Sequence, residues 1–147
     1  MKEEKAVLAG EMSGHIFFAD RYFGYDDAIY ASCRLVELLS RTDRKLCQLL
    51  GDVPKAFVTP EIRMDCPDEI KFKVVEHVKE ALKKDYPIID VDGVRVKFED
   101  GWGLVRASNT QPALVLRFEA LTEKRLNEIR LLVEEKVRSA TANLGGH

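Results

Sequence analysis

The sequence predicts an α+β chain in which an incomplete α/β segment over residues 1–50 precedes a complete domain over residues 51–147, a four-stranded antiparallel sheet with two helices. Three observations carry this. The 147 residues are 46% hydrophobic and 33% charged, a globular balance with room for one domain plus part of another. The composition shifts at Gly51-Asp52-Val53-Pro54-Lys55, a helix stop followed by a turn-rich stretch, which sets the boundary. Beyond it, the order strand, helix, strand cluster, helix supplies both a sheet and the helices that cover it.

Lys5 to Leu8 reads as the tail of a strand, followed by the small-residue loop Gly10-Glu11-Met12-Ser13-Gly14 and an aromatic run from His15 to Tyr25. Asp26 and Asp27 suit a cap and a first turn, and Ile29, Cys33, Val36 and Leu39 recur at helical spacing, so Asp26 to Arg41 is expected to be helical. A short helix through Lys45 to Leu50 ends at Gly51 and Pro54. In the second half, Glu61 to Cys66 alternates with Ile62 and Met64 on one face. Asp68 then caps a helix carrying Val74, Val75, Val78, Ala81 and Leu82. Pro87 to Val91 and Val94 to Phe98 flank Asp92-Gly93, a pair that favours the type I′ hairpin turn because both central residues need positive φ. Trp102 to Ala107 and Ala113 to Ala120 form two further strands around Ser108 to Pro112. Thr122 caps a last helix with the face Leu126, Ile129, Val133 and Val137, and the tail from Ala140 to His147 carries no core signal.

The net charge of −2 provides no general attraction to nucleic acid or anionic lipid, so neither is expected as a partner and any bound anion must be held locally. Cys33, Cys47 and Cys66 form no CxxC pair and are expected to be reduced and buried, which favours a cytoplasmic setting. The start, Met1-Lys2-Glu3-Glu4-Lys5, is too acidic and its apolar run too short for a signal peptide, and no stretch approaches a membrane span.

Two loops could carry chemistry. Glu11, Ser13 and His15 sit at alternate positions between Gly10 and Gly14, and a carboxylate, a hydroxyl and an imidazole on one side suit the vicinal hydroxyls of a sugar. The plainer reading is a polar hairpin loop. Arg106-Ala107-Ser108-Asn109-Thr110-Gln111-Pro112 puts a guanidinium at a strand end, then hydrogen-bonding side chains in a turn closed by proline, which outlines a phosphate cradle. Its plainer reading is an Asx or ST turn with Arg106 paired to a carboxylate. Asp90-Val91-Asp92-Gly93 resembles a metal loop, but Val91, Val94 and Val96 fit a hairpin, and His77 and His147 lack ligand spacing, so no metal ligand is assigned. Trp102 is expected in the core.

Three segments together resemble the α-D-phosphohexomutase family, its bacterial phosphomannomutase/phosphoglucomutase branch in particular. They are Gly10-Glu11-Met12-Ser13-Gly14-His15, Phe23-Gly24-Tyr25-Asp26-Asp27 and Gly101-Trp102-Gly103-Leu104-Val105-Arg106-Ala107-Ser108-Asn109-Thr110. The resemblance implies that residues 1–50 are the end of a sugar-binding domain 3 and residues 51–147 a phosphate-binding, C-terminal domain 4. Glu11 and Ser13, with His15 beside them, then match sugar contacts, and Arg106, Ser108, Asn109 and Thr110 match the grip on the phosphate that is not transferred. The family moves a phosphoryl group between the C1 and C6 oxygens of a hexose through a phosphoserine, with Mg²⁺ on an aspartate-rich loop. Neither the phosphoserine context nor that loop is in these residues, so no catalytic residue is assigned and Mg²⁺ is expected only in a parent enzyme.

The chain is expected to be a fragment that grips a hexose phosphate, inactive alone, partnered by the missing N-terminal domains and able to self-associate through its domain 3 remnant. The alternative is a stand-alone phosphosugar-binding module. The β-α-β-β-β-β-α order of domain 4 also looks like the half-repeat of the TATA-binding protein, but fold does not transfer function and the charge argues against DNA.

Overall fold

The computed structural model describes residues 1–2, 5–11 and 13–145; Met12 of the first loop and the terminal His147 lie outside the described residues. The chain divides into two compact units, Met1–Val53 and Pro54–His147.

The first unit is a hairpin and a helix. Strands β1 (Leu8–Gly10) and β2 (Ile16–Phe18) pair antiparallel with Leu8 opposite Phe18 and Gly10 opposite Ile16. The strand therefore starts where the sequence reading had it end. Helix α1 spans Ala28–Ser40, shorter than the expected Asp26 to Arg41, because Asp27 is its N-cap and accepts a hydrogen bond from the Tyr30 amide. No residue of α1 is buried, although Ile29, Val36 and Leu38 are large and apolar. The expected second helix is a single 3₁₀ turn, Leu46–Gln48.

The second unit contains the core. Its strands are β3 (Phe57–Val58), β4 (Ile62–Asp65), β5 (Ile88–Ile89), β6 (Val94–Phe98), β7 (Gly101–Ala107) and β8 (Ala113–Ala120), with helices α2 (Lys71–Leu82) and α3 (Glu123–Gly145). All pairings are antiparallel, in the order β3-β8-β7-β6-β5, and β4 shares the β3 side of β8. The four-stranded sheet read from sequence is thus a six-stranded one, β3 being a two-residue strand separated from β4 by Pro60. Val94, Val96, Val105, Leu114, Leu116 and Phe118 alternate onto the face that meets Val74 and Val78 of α2 and Ile129, Val133 and Val137 of α3. The opposite face carries Arg95, Lys97, Arg106 and Arg117.

Several local expectations change. The β5–β6 hairpin is registered Ile89 opposite Arg95, and only Gly93 has positive φ (+87°), so the connection is not the two-residue type I′ turn. That register throws Val91 out of the sheet, 90% exposed. Asp68 does not cap α2; Ile70 is the N-cap, without a side-chain bond, and Asp68 pairs with Lys71 Nζ at 2.6 Å. Ala81 is exposed. Thr122 does cap α3, accepting from the Arg125 amide, but the tail is helical as far as Gly145, with Ala140 buried and Leu144 packed on the core. Cys66 is buried, whereas Cys33 and Cys47 are exposed. Trp102 is only half-buried and carries the Arg95 guanidinium 4.4 Å above its ring. Among the described residues no helix is long and apolar enough to cross a membrane.

Phe118 is fully buried under both helices. Phe118→Ala is expected to destabilise the second unit by about 3–5 kcal/mol through lost transfer energy and a residual cavity. Urea unfolding followed by circular dichroism checks this, and a loss below about 1 kcal/mol would contradict the packing.

Candidate functional site

The β1–β2 loop is closed by its own backbone. The Glu11 amide donates to the His15 carbonyl at 2.9 Å and the Gly14 amide to the Glu11 carbonyl at 3.0 Å. Gly14 has φ +91°, while a Cβ there would meet nothing within 4 Å, so glycine serves the backbone angle rather than the space. The tight turn brings two of the three expected side chains together: Ser13 Oγ donates to Glu11 Oε2 at 3.1 Å. His15 instead bonds Asp26, with Nδ1 2.6 Å from Oδ2, and Asp26 Oδ1 also accepts from the Ile16 amide at 3.3 Å.

Sequence reasoning placed Asp26 only at a helix start and missed it as the partner of His15. Fixing Asp26 beside β2 is the work of the residues around it. The next residue, Asp27, is held by the Tyr30 amide and by Tyr22 Oη at 2.5 Å, which lowers its pKa, the Tyr22 bond first. An ionised carboxylate only accepts, so His15 Nδ1 carries a proton and Nε2 is an acceptor in the neutral ring and a donor in the imidazolium. The loop therefore offers a carboxylate, a hydroxyl and an imidazole whose free nitrogen can take either role.

The second loop joins β7 to β8. Their register sets Arg106 opposite Val115 and Ala107 opposite Leu114, leaving Ser108 to Pro112 as the connection. The Ser108 amide donates to the Ala113 carbonyl at 2.9 Å, and Ser108 Oγ accepts from the Gln111 amide at 3.1 Å and the Thr110 amide at 3.4 Å. This is the ST turn of the plainer reading. Because those bonds use only the oxygen's lone pairs, the Ser108 hydroxyl proton stays free to donate, and the Asn109 and Thr110 side chains are exposed beside it.

Arg106 Nη1 lies 3.2 Å from Asp92 Oδ2, the carboxylate pairing that the same reading anticipated. The pair is exposed on both sides, so it contributes no more than about 1 kcal/mol and can give way to a stronger anion. Gly93 makes this approach possible: a Cβ there would stand 2.4 Å from the Val105 carbonyl oxygen and 2.6 Å from Arg106 Cβ. The far end of the loop is held by residues the sequence reading did not single out. Arg63 bonds the Gln111 side-chain oxygen, Lys71 Nζ donates to the Gln111 carbonyl at 3.1 Å, and the Cys66 amide donates to the Pro112 carbonyl at 2.9 Å. The pairing of β4 with β8 brings Arg63 and Cys66 there and Lys71 reaches the loop from α2, so no local signal could have shown it.

The acidic residues do not build a metal site. Asp90 pairs with Lys79 at 2.5 Å and Asp92 with Arg106, and among the described residues no three His, Cys, Asp or Glu side chains converge to hold an ion. These residues do not fit Mg²⁺.

The sequence model described as the phosphoglucomutase/phosphomannomutase C-terminal domain matches residues 61–136, and that for the same family's alpha/beta/alpha domain III matches residues 1–57. A Pseudomonas aeruginosa phosphomannomutase/phosphoglucomutase is 45% identical over 145 residues, covering 98% of this chain and 31% of its own length. A Neisseria gonorrhoeae phosphoglucomutase is 45% identical over 135 residues, covering 88% of this chain and 29% of its own. The chain thus spans about a third of the length of the curated relatives it matches. The crystal structure of a Burkholderia thailandensis phosphoglucomutase/phosphomannomutase family protein superposes with a TM-score of 0.78 at 39% identity, covering 95% of this chain and 29% of that one.

The hydrogen bond that His15 donates to Asp26, then the charge of that carboxylate, raises the His15 pKa above the ordinary 6.5. With the folded value raised, the pair's stabilisation is fully present below the unfolded pKa and is lost as pH rises through the folded one. An NMR titration is expected to place the His15 midpoint above 6.5 and Asp26→Asn to lower it; an unmoved midpoint would show that the pair does not form. Gly93→Ala is expected to cost about 1–3 kcal/mol and to displace Arg106, from strain at positive φ combined with overpacking, read by thermal unfolding and by the Arg106 amide shift.

Proposed function

The chain belongs to the phosphoglucomutase/phosphomannomutase family, and from that premise we propose that it is the substrate-gripping part of a mutase that interconverts hexose 1-phosphate and hexose 6-phosphate. One observation carries the reading: an exposed guanidinium, Arg106, stands at the mouth of a turn in which Ser108 Oγ accepts from the Thr110 and Gln111 amides and whose Ser108, Asn109 and Thr110 side chains are left to bind an anion. In this proposal they take the phosphate that is not transferred. Arg106 exchanges its weak bond to Asp92 for a charge-assisted fork on phosphate oxygens. Glu11, Ser13 and His15 take sugar hydroxyls, the His15 nitrogen adapting as donor or acceptor. Residues 1–50 then act as the sugar-binding end of domain 3 and residues 51–147 as the phosphate-binding domain 4.

Such residues contribute positioning. Holding the remote phosphate presents the reacting oxygen at a fixed distance, which can supply several kcal/mol of barrier reduction without any bond making. The phosphoserine and its Mg²⁺ are assigned to other sequence, so the chain alone is expected to be inactive. The exposed thiols Cys33 and Cys47 support a reducing, cytoplasmic setting. Exposed Ile29, Val36 and Phe23 support self-association of the first unit. Sedimentation should then show concentration-dependent mass, and a strict monomer would remove that part of the proposal.

Titrating the 147-residue chain with glucose 1-phosphate is expected to move the amide signals of Arg106 and Ser108 to Thr110, with an affinity no tighter than about millimolar because an open loop cannot enclose the ligand. Arg106→Ala should weaken binding about tenfold or more, Arg106→Lys less, and Asp92→Asn should strengthen it by releasing the guanidinium. If Arg106→Ala left the affinity within twofold, the loop would be a turn and nothing more. A micromolar constant would instead favour a stand-alone phosphosugar-binding module.

A further inference from the structure

Lys71 is unusual in two ways. It is 5% exposed, although lysine is almost never buried unless paired. It also opens helix α2, where the macrodipole disfavours a cation, and no acidic residue sits in that first turn and no side chain caps it. Local conflicts of this kind persist where another interaction outweighs them. Here the ammonium donates to Asp68 Oδ1 at 2.6 Å and, across 40 residues of sequence, to the carbonyl of Gln111 at 3.1 Å.

Resting on the phosphate reading of the β7–β8 loop, we propose that Lys71 is the positioning residue of that loop, a buried clasp that turns its last carbonyls inward and fixes its shape before an anion arrives. The neighbouring bonds act in the same sense. The Pro112 carbonyl accepts from the Cys66 amide, and the Gln111 carbonyl accepts from both Lys71 and the Ala113 amide at 2.8 Å. Two successive carbonyl dipoles, whose negative ends would repel a phosphate, are thereby spent on the β4–α2 side. The Ser108 to Thr110 end has no tether to β4 or α2 and is shaped by Ser108, whose amide donates to the Ala113 carbonyl and whose Oγ accepts from the Thr110 and Gln111 amides. Lys71 does not touch the phosphate in this scheme. It lowers the ordering cost that binding would otherwise carry.

The test uses Lys71→Met in the 147-residue chain, with inorganic phosphate as probe. Methionine keeps most of the buried stem, and Asp68, 63% exposed, is left solvated. Amide exchange at Ser108 and Gln111 is expected to quicken about tenfold and phosphate affinity to fall about threefold or more, while Leu114 to Phe118 in β8 keep their protection. Unchanged loop exchange overturns the proposal, and so does an equal rise in β8, which would make Lys71 a support of the fold only. Should the variant not fold, the wild-type ammonium decides. A slowly exchanging Lys71 signal that shifts on adding phosphate supports the clasp, and exchange as fast as that of surface lysines overturns it. If the wild type binds no phosphate while Lys71→Met still loosens the loop, the clasp stands and the phosphate reading fails.

Discussion

Strand β8 is the constraint on which the second unit depends. It is paired along both edges, to β3 and β4 on one side and to β7 on the other. Its alternate residues Leu114, Leu116 and Phe118 fill the layer beneath α2 and α3. A one-residue slip would turn that apolar row to solvent, so the register is strongly specified. The register in turn decides that Ser108 to Pro112 is the β7–β8 loop, that Arg106 stands at its entrance, and that Arg63 and Cys66 reach its far end. The apolar core and the polar loop are two consequences of one pairing.

Magnitude separates the ion pairs that shape this protein from those that merely decorate it. Arg106–Asp92 is exposed and worth little, which is what a binding group needs if it is to change partners. Lys71 is buried, and removing its partners would strand a charge away from water. Glu134 is likewise buried and is held by Arg130 and Arg138, one turn away on each side of α3. Exposed pairs can exchange partners at little cost, whereas buried ones hold the local backbone in place.

The first unit follows another economy. Its hairpin is short and no residue of its helix is fully buried, so side-chain bonds do much of the ordering. Asp27 takes the Tyr30 amide and the Tyr22 hydroxyl, Asp26 takes His15 and the Ile16 amide, and Arg34 holds Asp20 at 3.0 Å while its guanidinium lies 4.6 Å from the Phe18 ring. His15 is therefore attached to a network of polar side-chain bonds rather than to a core, while the Ser13 and Glu11 side chains bond each other. Such a network tolerates rearrangement on binding more readily than a packed interior does.

What the sequence by itself determined was whatever is written in neighbouring residues. Helical spacing located α1, α2 and most of α3; alternation located β4 and β8; Thr122 marked a cap; and both candidate loops, Glu11 to His15 and Arg106 to Thr110, stood out as polar runs beside glycine or proline. Tertiary structure alone decided the rest. Val91 lost its place in a strand because the β6–β7 pairing fixed a register that the turn pair Asp92-Gly93 does not choose. Ala140 and Leu144, in a tail without any local core signal, became helical and packed because there was apolar surface to cover. Asp26 meets His15, Asp92 meets Arg106 and Lys71 meets Gln111 across 11, 14 and 40 residues. Spacing along the chain sets which face a residue shares, but the partner on the other side of a contact is fixed only when the whole sheet closes on its core.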